Sequence, residues 1–553
     1  MDVAAVVMII LCIIYVPIWI WVWRKPESAA KYHLVKYGPT VMIKTALGIK
    51  AMDKLGRYRR FWRFFGFMSR LISVILFFLM MYMLVMALIA LPSRLGGGGI
   101  GIKYALAIPG FNPMLPLTYG IIALFVAMVV HEMGHGIQSR ANDCEVDSTG
   151  LLYGVVPLGA FCEPNEEDLA KASRGAQMDV YSAGISVNTI LAIISFALMV
   201  LVIGSVAVAD FDEVSDASDL PGVYYIDEDS PAYKSKIPAS ALIIGIKEEG
   251  DTGEFHPVQS KSEARATSIY AEGMEITPLK RYLIQYMTED GEKTTTVPIQ
   301  IGAFIRTVAN NSPADDIGLK TSTFIYCFSV KISDGADPDD PSDDVYEDHP
   351  ISNAYDFFKF MESTEPGDKV KVLTATVSYE GEIATQERQV TLSSSSNSGS
   401  SGYLGVSVND SGFTMTTPTI MIDSAKNPFY NAEEPYDYIQ GFFKYLSGPI
   451  NGLDPIPNAI RWWYDAPAGE LSWISMKTLY WIFWLDILLA ISNALPAYPF
   501  DGGFLFEGGI NWLLERFGIK DDERRKKLSE SASSAVSTVV LIMFCLVLLT
   551  FII

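Results

Sequence analysis

Two histidines four residues apart, His131 and His135, enclose a glutamate in the run His131-Glu132-Met-Gly-His135. On a helix that spacing puts both imidazoles on one face, a turn apart. They can share one zinc ion there, with Glu132 beside them as a candidate general base toward water. Two imidazoles are an incomplete set, because a catalytic zinc takes three protein ligands and keeps one position open. Asp501, in Pro496-Ala-Tyr-Pro-Phe-Asp-Gly-Gly503, is the candidate third ligand. The bland alternative is that it caps a turn or the next helix, as Asp before Gly-Gly often does. Asp486 competes for the role. It lies inside an apolar stretch, where a charge is costly and usually functional. It stands seven residues before Asn493, hence on about the same helix face. Asp486 could orient a ligand, bond another helix or sit protonated, and it is read as a support behind the ligands.

The element that carries His131 must be a helix in an unusual solvent. The ten residues before it, Ile121 to Val130, are all apolar and uncharged. Apolar runs also cover Val3–Trp23, Leu71–Leu91, Val180–Ala209, Thr478–Leu495 and Ser531–Ile553, each of about the 20 residues that cross a bilayer. With the histidine helix that makes six expected membrane helices. The first lacks a basic flank and a small-residue cleavage site, so it reads as a retained helix. Arg24 to Met68 carries eleven Lys/Arg against Glu27 and Asp53. That excess places this loop in the cytoplasm and the N-terminus outside. A glycine run, Gly96 to Gly99, marks the next external loop. Following the helices in turn brings both the His131–His135 end and the Asp501 end to the cytoplasmic half.

The remaining charge is concentrated elsewhere. Asp210 to Glu470 holds 43 acidic and 18 basic residues, and the rest of the chain 20 and 24. A strongly acidic extramembrane part argues against nucleic-acid binding. Within it, Ser230-Pro-Ala-Tyr-Lys-Ser-Lys-Ile237 is echoed by Ser312-Pro-Ala-Asp-Asp-Ile-Gly-Leu319, 82 residues later, each after a strand-like stretch. This is a repeated β-rich unit, with an acidic insertion at Asp334–Asp348 and a Ser/Gly linker at Ser393–Gly402. Trp462, Trp463, Trp473 and Tyr480 suit an interfacial belt. The five cysteines are scattered, with no CxxC pair, so neither thiol chemistry nor a disulfide framework is expected. Glu145–Pro164 is apolar but rich in Gly and Pro, which favours a strand pair over a helix. It is either a surface hairpin or an edge beside the site that takes an extended segment by strand addition.

Taken together, HEMGH in a membrane helix, Ala183-Gly-Ile-Ser-Val-Asn188, Asn493-Ala-Leu-Pro-Ala-Tyr-Pro-Phe-Asp501-Gly-Gly and PLGAFCEPNEEDLAKA (Pro157–Ala172) resemble the site-2 protease family of intramembrane zinc metalloproteases, its archaeal members in particular. The repeats resemble the tandem PDZ domains that many of these proteases carry.

The resemblance implies an α-helical polytopic membrane protein with an inserted extracytoplasmic tandem PDZ-like region. The expected parts are helices with a basic loop (1–116), a first catalytic part (117–209), two PDZ-like domains (210–302 and 303–410), an interfacial linker (411–470) and a second catalytic part with the last helix (471–553). It implies His131, His135 and Asp501 as zinc ligands, Glu132 as the residue that activates water, and Asn188 and Asn493 as residues that position substrate backbone or oxyanion. It implies a substrate-pairing β-loop through Gly150, Val155, Gly159 and Phe161. The implied partners are single-span membrane proteins and the bilayer. Ile185 and Phe500 stand where the family usually has proline and leucine, apolar changes that touch packing only. The competing readings are an inactive membrane-anchored PDZ adaptor and a transporter; the absence of repeated membrane halves disfavours the latter.

Overall fold

The computed structural model describes residues 3–549, apart from 39, 92–107, 156, 212–215, 264–265, 334–343, 378–381, 395–400, 431, 433–434 and 449–453. The Gly96–Gly99 run, most of the acidic insertion and the middle of the Ser/Gly linker lie outside the described residues. The chain divides into two compact units. Met1–Val202, Leu446–Leu453 and Glu470–Ile553 form the first; Ile203–Tyr445 and Asp454–Gly469 form the second.

In the first unit the uncharged runs are helical, because hydrocarbon leaves a backbone no partner but itself. Its main helices are α1 (Val3–Arg24), α2 (Ile49–Gly56), α3 (Arg59–Ile89), α4 (Leu117–Ala141), α5 (Arg174–Gly204), α6 (Glu470–Asn493), α7 (Asp501–Arg516) and α8 (Asp522–Leu549). Among the described residues, five are long and apolar enough to cross a membrane: α3, α4, α5, α6 and α8. The sixth expected span falls on α1, which contains Pro17 and whose described apolar part, Cys12–Arg24, is shorter. Small residues face inward: Ala123, Ala127 and Ala183 are fully buried. Large apolar ones such as Phe78, Ile121, Phe125 and Leu201 are exposed. That is the packing expected where lipid, rather than water, surrounds the bundle.

The basic loop after α1 holds more structure than its charge indicates. β1 (Leu34–Tyr37) and β2 (Thr40–Thr45) form a hairpin. β2 pairs with β3 (Val146–Tyr153), and β3 pairs with β4 (Pro157–Pro164). The strand pair expected at Glu145–Pro164 is thus the second half of a four-stranded sheet with the order β1-β2-β3-β4. β3 is enclosed on both sides and β4 is an outer strand. Gly150 is required in β3, since a Cβ there would lie 2.0 Å from the Ile43 carbonyl oxygen of β2.

In the second unit both repeats lie in one sheet. The unit's strands, in chain order, are β5 (Ala207–Val208), β6 (Gly222–Ile226), β7 (Leu242–Glu248), β8 (His256–Glu263), β9 (Ala266–Ala271), β10 (Arg281–Thr288), β11 (Gly291–Thr294), β12 (Ile299–Gln300), β13 (Ala303–Val308), β14 (Phe324–Ser333), β15 (Val345–Pro350), β16 (Lys369–Val377), β17 (Ile383–Thr391), β18 (Val406–Asp410), β19 (Phe413–Thr416) and β20 (Tyr464–Asp465). The order along the sheet's main path, β11-β10-β7-β6-β19-β18-β13-β14-β16-β17, is nearly symmetric about the tight β18–β19 hairpin. The symmetry extends to single bonds. The Asp227 and Ala309 amides, each three residues before a Ser-Pro-Ala turn, donate to the carbonyls of Gly412 and Gly405. Both glycines have positive φ and sit where a Cβ would collide with Ser230 or Ser312, the serines that cap the two turns. Each repeat has its own apolar core, around Ile243, Ile246 and Tyr282 in the first and around Ile325, Phe328 and Val372 in the second.

Two expectations are corrected here. The first repeat does not close at residue 302, because β19, from beyond the second repeat, pairs with β6 and completes it. The aromatic belt is partly core: Trp463 is fully buried over Gly222, with its Nε1–H donating to the Ser240 carbonyl at 2.8 Å. Trp473 and Tyr480 are buried in the first unit. A further difference lies between β7 and β10, where the first repeat has the β8–β9 hairpin; between β14 and β16 the second has a strand, Val345–Pro350, followed by a helix, Ala354–Glu362.

Candidate metal centre

α4 presents His131 and His135 on its buried side, as the four-residue spacing requires. Their rings meet edge to face, with centroids 4.8 Å apart. α5 crosses them at Gly184, where a Cβ would lie 2.4 Å from His135 Nε2 and 2.6 Å from His131 Cε1. Only glycine leaves room for the two rings at this crossing. Asp501 comes from the sharp return after α6. Gly502 and Gly503 press against the last carbonyls of that segment, and a Cβ on Gly502 would lie 2.4 Å from the Ala494 oxygen. The two glycines let α7 start directly over the end of α6, with Asp501 as its first residue. Asp501 begins the helix without capping it, since Phe500 holds the N-cap position and no side-chain cap bond is made; its carboxylate faces the histidines instead.

The three ligand atoms converge. His131 Nε2 and His135 Nε2 are 3.2 Å apart, and each is 3.3 Å from Asp501 Oδ2. Tetrahedral ligands about 2.0–2.1 Å from a zinc ion lie about 3.3 Å from one another. The protons agree with that fit. His131 Nδ1 is 3.2 Å from Asn188 Oδ1, and His135 Nδ1 is 2.8 Å from the Val180 carbonyl oxygen. Both partners are acceptors, so each Nδ1 carries the N–H and each Nε2 presents a lone pair. Two lone pairs and a carboxylate oxygen then face one another, and Asp501 Oδ2 is buried without a hydrogen bond. Acceptors brought together in a buried place are stabilised by a cation between them, so these three residues form a group that could hold a metal ion. Among the described residues, no other cluster of three His, Cys, Asp or Glu side chains could hold a metal ion.

The other expected residues divide. Glu132 lies beside β4, and its Oε2 accepts the Cys162 amide at 2.7 Å. The general-base candidate is thereby tied to β4, one of the two outer strands of the four-stranded sheet. Phe161 and Gly150 are paired across β3–β4, as are Gly159 and Leu152. A Cβ on Gly159 would meet open space, and Val155 packs with α1 instead. Asn188 is fully buried, and its amide is engaged by protein on every side. Asn493 is half-buried at the end of α6, its Nδ2 donating to the Leu489 carbonyl at 3.0 Å. Asp486 is fully buried and accepts from Asn188 Nδ2 at 2.7 Å. It is not among the three converging groups, which include Asp501.

Sequence reasoning missed α2. Its Met52 packs on Ile137 behind the histidines, and Asp53 pairs with Arg140. Its apolar-charged alternation was the available signal, masked by the basic charge of the loop.

The family model described as peptidase family M50 matches residues 119–547. An uncharacterized protein of Methanocaldococcus jannaschii is 34% identical over 204 residues, which cover 36% of this chain and 52% of the relative. The chain thus spans about half the length of that curated relative.

Proposed function

Because the chain belongs to peptidase family M50, the site-2 protease family, we propose that it is an intramembrane zinc metalloendopeptidase that hydrolyses peptide bonds within or near the transmembrane segments of single-span membrane proteins. The observation that carries this reading is the meeting of His131 Nε2, His135 Nε2 and Asp501 Oδ2 as three buried acceptors, with Glu132 beside them. Zinc held there supplies Lewis acidity toward a carbonyl and lowers the pKa of water toward about 7.

The chain's own groups do the rest. Glu132 takes the proton of the attacking water and returns one to the leaving amine. The Cys162 N–H fixes its carboxylate at β4. A helical substrate hides its carbonyls in its own hydrogen bonds and must unwind. Strand addition along β4 replaces those bonds next to Glu132. β4 is one of the two outer strands of the β1–β4 sheet, and it is the one bonded to Glu132, which supports that path. Asn493, half-buried beside the turn to Asp501, positions the substrate backbone; Asn188 works on His131 instead.

The charge distribution supports an extracytoplasmic β-rich unit and a metal centre toward the cytoplasmic side. The repeats are PDZ-like in their strand–turn–strand order, and in this reading they gate access by bulk. Supporting a rigid block over two open peptide receptors, β9 is bonded to the start of the second repeat's helix. Tyr355 N donates to Ser268 Oγ at 3.0 Å, and Asn353 Nδ2 to the Ile269 oxygen at 3.3 Å. The test is cleavage of single-span membrane proteins by the purified chain in proteoliposomes, with full and trimmed ectodomains. Equal rates on both would overturn the gate, and no cleavage of any would overturn the protease reading.

A further inference from the structure

Asn188 on α5 stands between a histidine on α4 and a carboxylate on α6. Which way an Asn amide points is decided by its partners. The Ala127 carbonyl oxygen, 3.1 Å from Nδ2, can only accept. Asp486 Oδ1 lies 2.7 Å from the same nitrogen. Each takes one of the two Nδ2 hydrogens, so Oδ1 must face His131 Nδ1, at 3.2 Å. An amide oxygen cannot donate, so Nδ1 of His131 carries the proton and Nε2 keeps its lone pair. Asp486 and Asn188 are both fully buried, with no water-exposed alternative partner for either. A carboxylate in the middle of an apolar helix is costly to hold, and Asp486 Oδ2 has no hydrogen-bond partner among the described residues. Fold alone does not call for it, since packing α6 against α5 needs only apolar contact.

We propose that Asp486 is a positioning residue of the metal centre: its carboxylate holds Asn188, and Asn188 holds His131 in the tautomer and orientation that aim Nε2 at the ion. This rests on the reading of His131, His135 and Asp501 as a zinc site. The arrangement gives the histidine of α4 a support that passes through all three helices. His135 has a shorter one, the Val180 carbonyl. The two supports differ in a way mutation can reach: the backbone carbonyl is fixed, whereas the Asn188–Asp486 pair is made of side chains.

The experiment is the zinc dissociation constant of the full chain in detergent micelles, measured by competition with a fluorescent chelator and needing no substrate. Outer partners of metal-bound histidines are typically worth 10–100-fold in metal affinity. Asp486→Leu is expected to weaken zinc binding by about tenfold to a hundredfold. Asp486→Asn, which keeps an acceptor oxygen in place, stays within about threefold of wild type. Asn188→Leu weakens binding to a similar extent as Asp486→Leu. Adding Asp486→Leu to Asn188→Leu changes nothing more, because Asp486 acts only through Asn188. If Asp486→Leu does not fold, Asp486→Ala takes its place with the same expectation. Unchanged affinity in Asp486→Leu, an equal loss in Asp486→Asn, or losses that multiply in the double variant would each overturn the proposal. A wild-type chain that binds no zinc removes the zinc-site reading itself. Tight zinc binding by both wild type and Asp486→Leu removes only the role of Asp486.

Discussion

Asp501 in the membrane unit, with its Oδ2 buried, and Asp410 in the β-rich unit, buried whole, both hold enclosed carboxylate oxygens, and their surroundings are opposite in kind. Asp410 is met by donors. Its Oδ1 accepts the Ala354 amide at 2.8 Å and Ser268 Oγ at 3.0 Å, and its Oδ2 accepts the Ile269 amide at 2.9 Å. It staples the β9 hairpin to the helix of the second repeat, and its hydrogen bonds are complete. Asp501 is met by the Nε2 lone pairs of two histidines and makes no hydrogen bond through Oδ2. A buried carboxylate among donors is explained by the fold. One set against histidine nitrogens fits a site that could hold a cation. Burial alone does not separate the two; the hydrogen-bond sense of the neighbours does.

The contrast can be broken most sharply at the chemistry. Glu132→Gln keeps every ligand and removes the base, so cleavage should fall by at least about 10³-fold while bound zinc stays stoichiometric. Cleavage and metal content measured on one preparation check this, and retained activity contradicts the role of Glu132. Asp501→Ala should lower zinc affinity by on the order of 10²-fold or more, as read by chelator competition. Asp410→Ala should leave that affinity unchanged.

The effects on stability are smaller. Gly184→Ala pushes a methyl into both imidazoles, and overpacking of this kind costs about 1–3 kcal/mol. It should lower the melting temperature of the metal-free chain and weaken zinc retention together. Asp410→Ala leaves the Ile269 and Ala354 amides without an acceptor, at about 1–3 kcal/mol each. Faster limited proteolysis confined to the β-rich unit reads this out.

Burial pushes the Asp410 carboxyl up to about 6, against about 3.9 for an unfolded chain. Between those values the folded state binds more protons than the unfolded one. The stability of the β-rich unit should therefore fall as pH rises from about 4 to about 6, then level off. Asp410→Ala should lose that slope, and a slope that persists in it would assign the proton to another group.

Legibility followed sequence distance. His131, Glu132 and His135 lie within one helical turn and a half, and their spacing states their geometry. Asp501 was reachable because apolar runs and charge counts fix depth, which is a one-dimensional property. What had no local signal was missed. Asn188 contacts residues 57 and 298 positions away, and nothing in Ala183–Asn188 says that its amide faces His131 rather than substrate. The first repeat's last strand, β19, lies beyond the whole second repeat, so a boundary drawn from the Ser-Pro-Ala echo could not include it. The β1–β2 hairpin did have a signal, β-branched and aromatic residues on either side of Gly38-Pro39, but the loop's basic charge drew the reading toward topology. α7 was left open because Asp501 before Gly-Gly fits a turn as well as the start of a helix; here the glycines allow a close helix start.

The most direct measurement is cleavage of a single-span membrane protein by the purified chain in proteoliposomes before chelation, after it, and after zinc is restored. The account predicts cleavage that is lost on chelation and returns with zinc in wild type, and does not return in Asp501→Ala. Cleavage that proceeds undiminished in the chelated, zinc-free protein would contradict it.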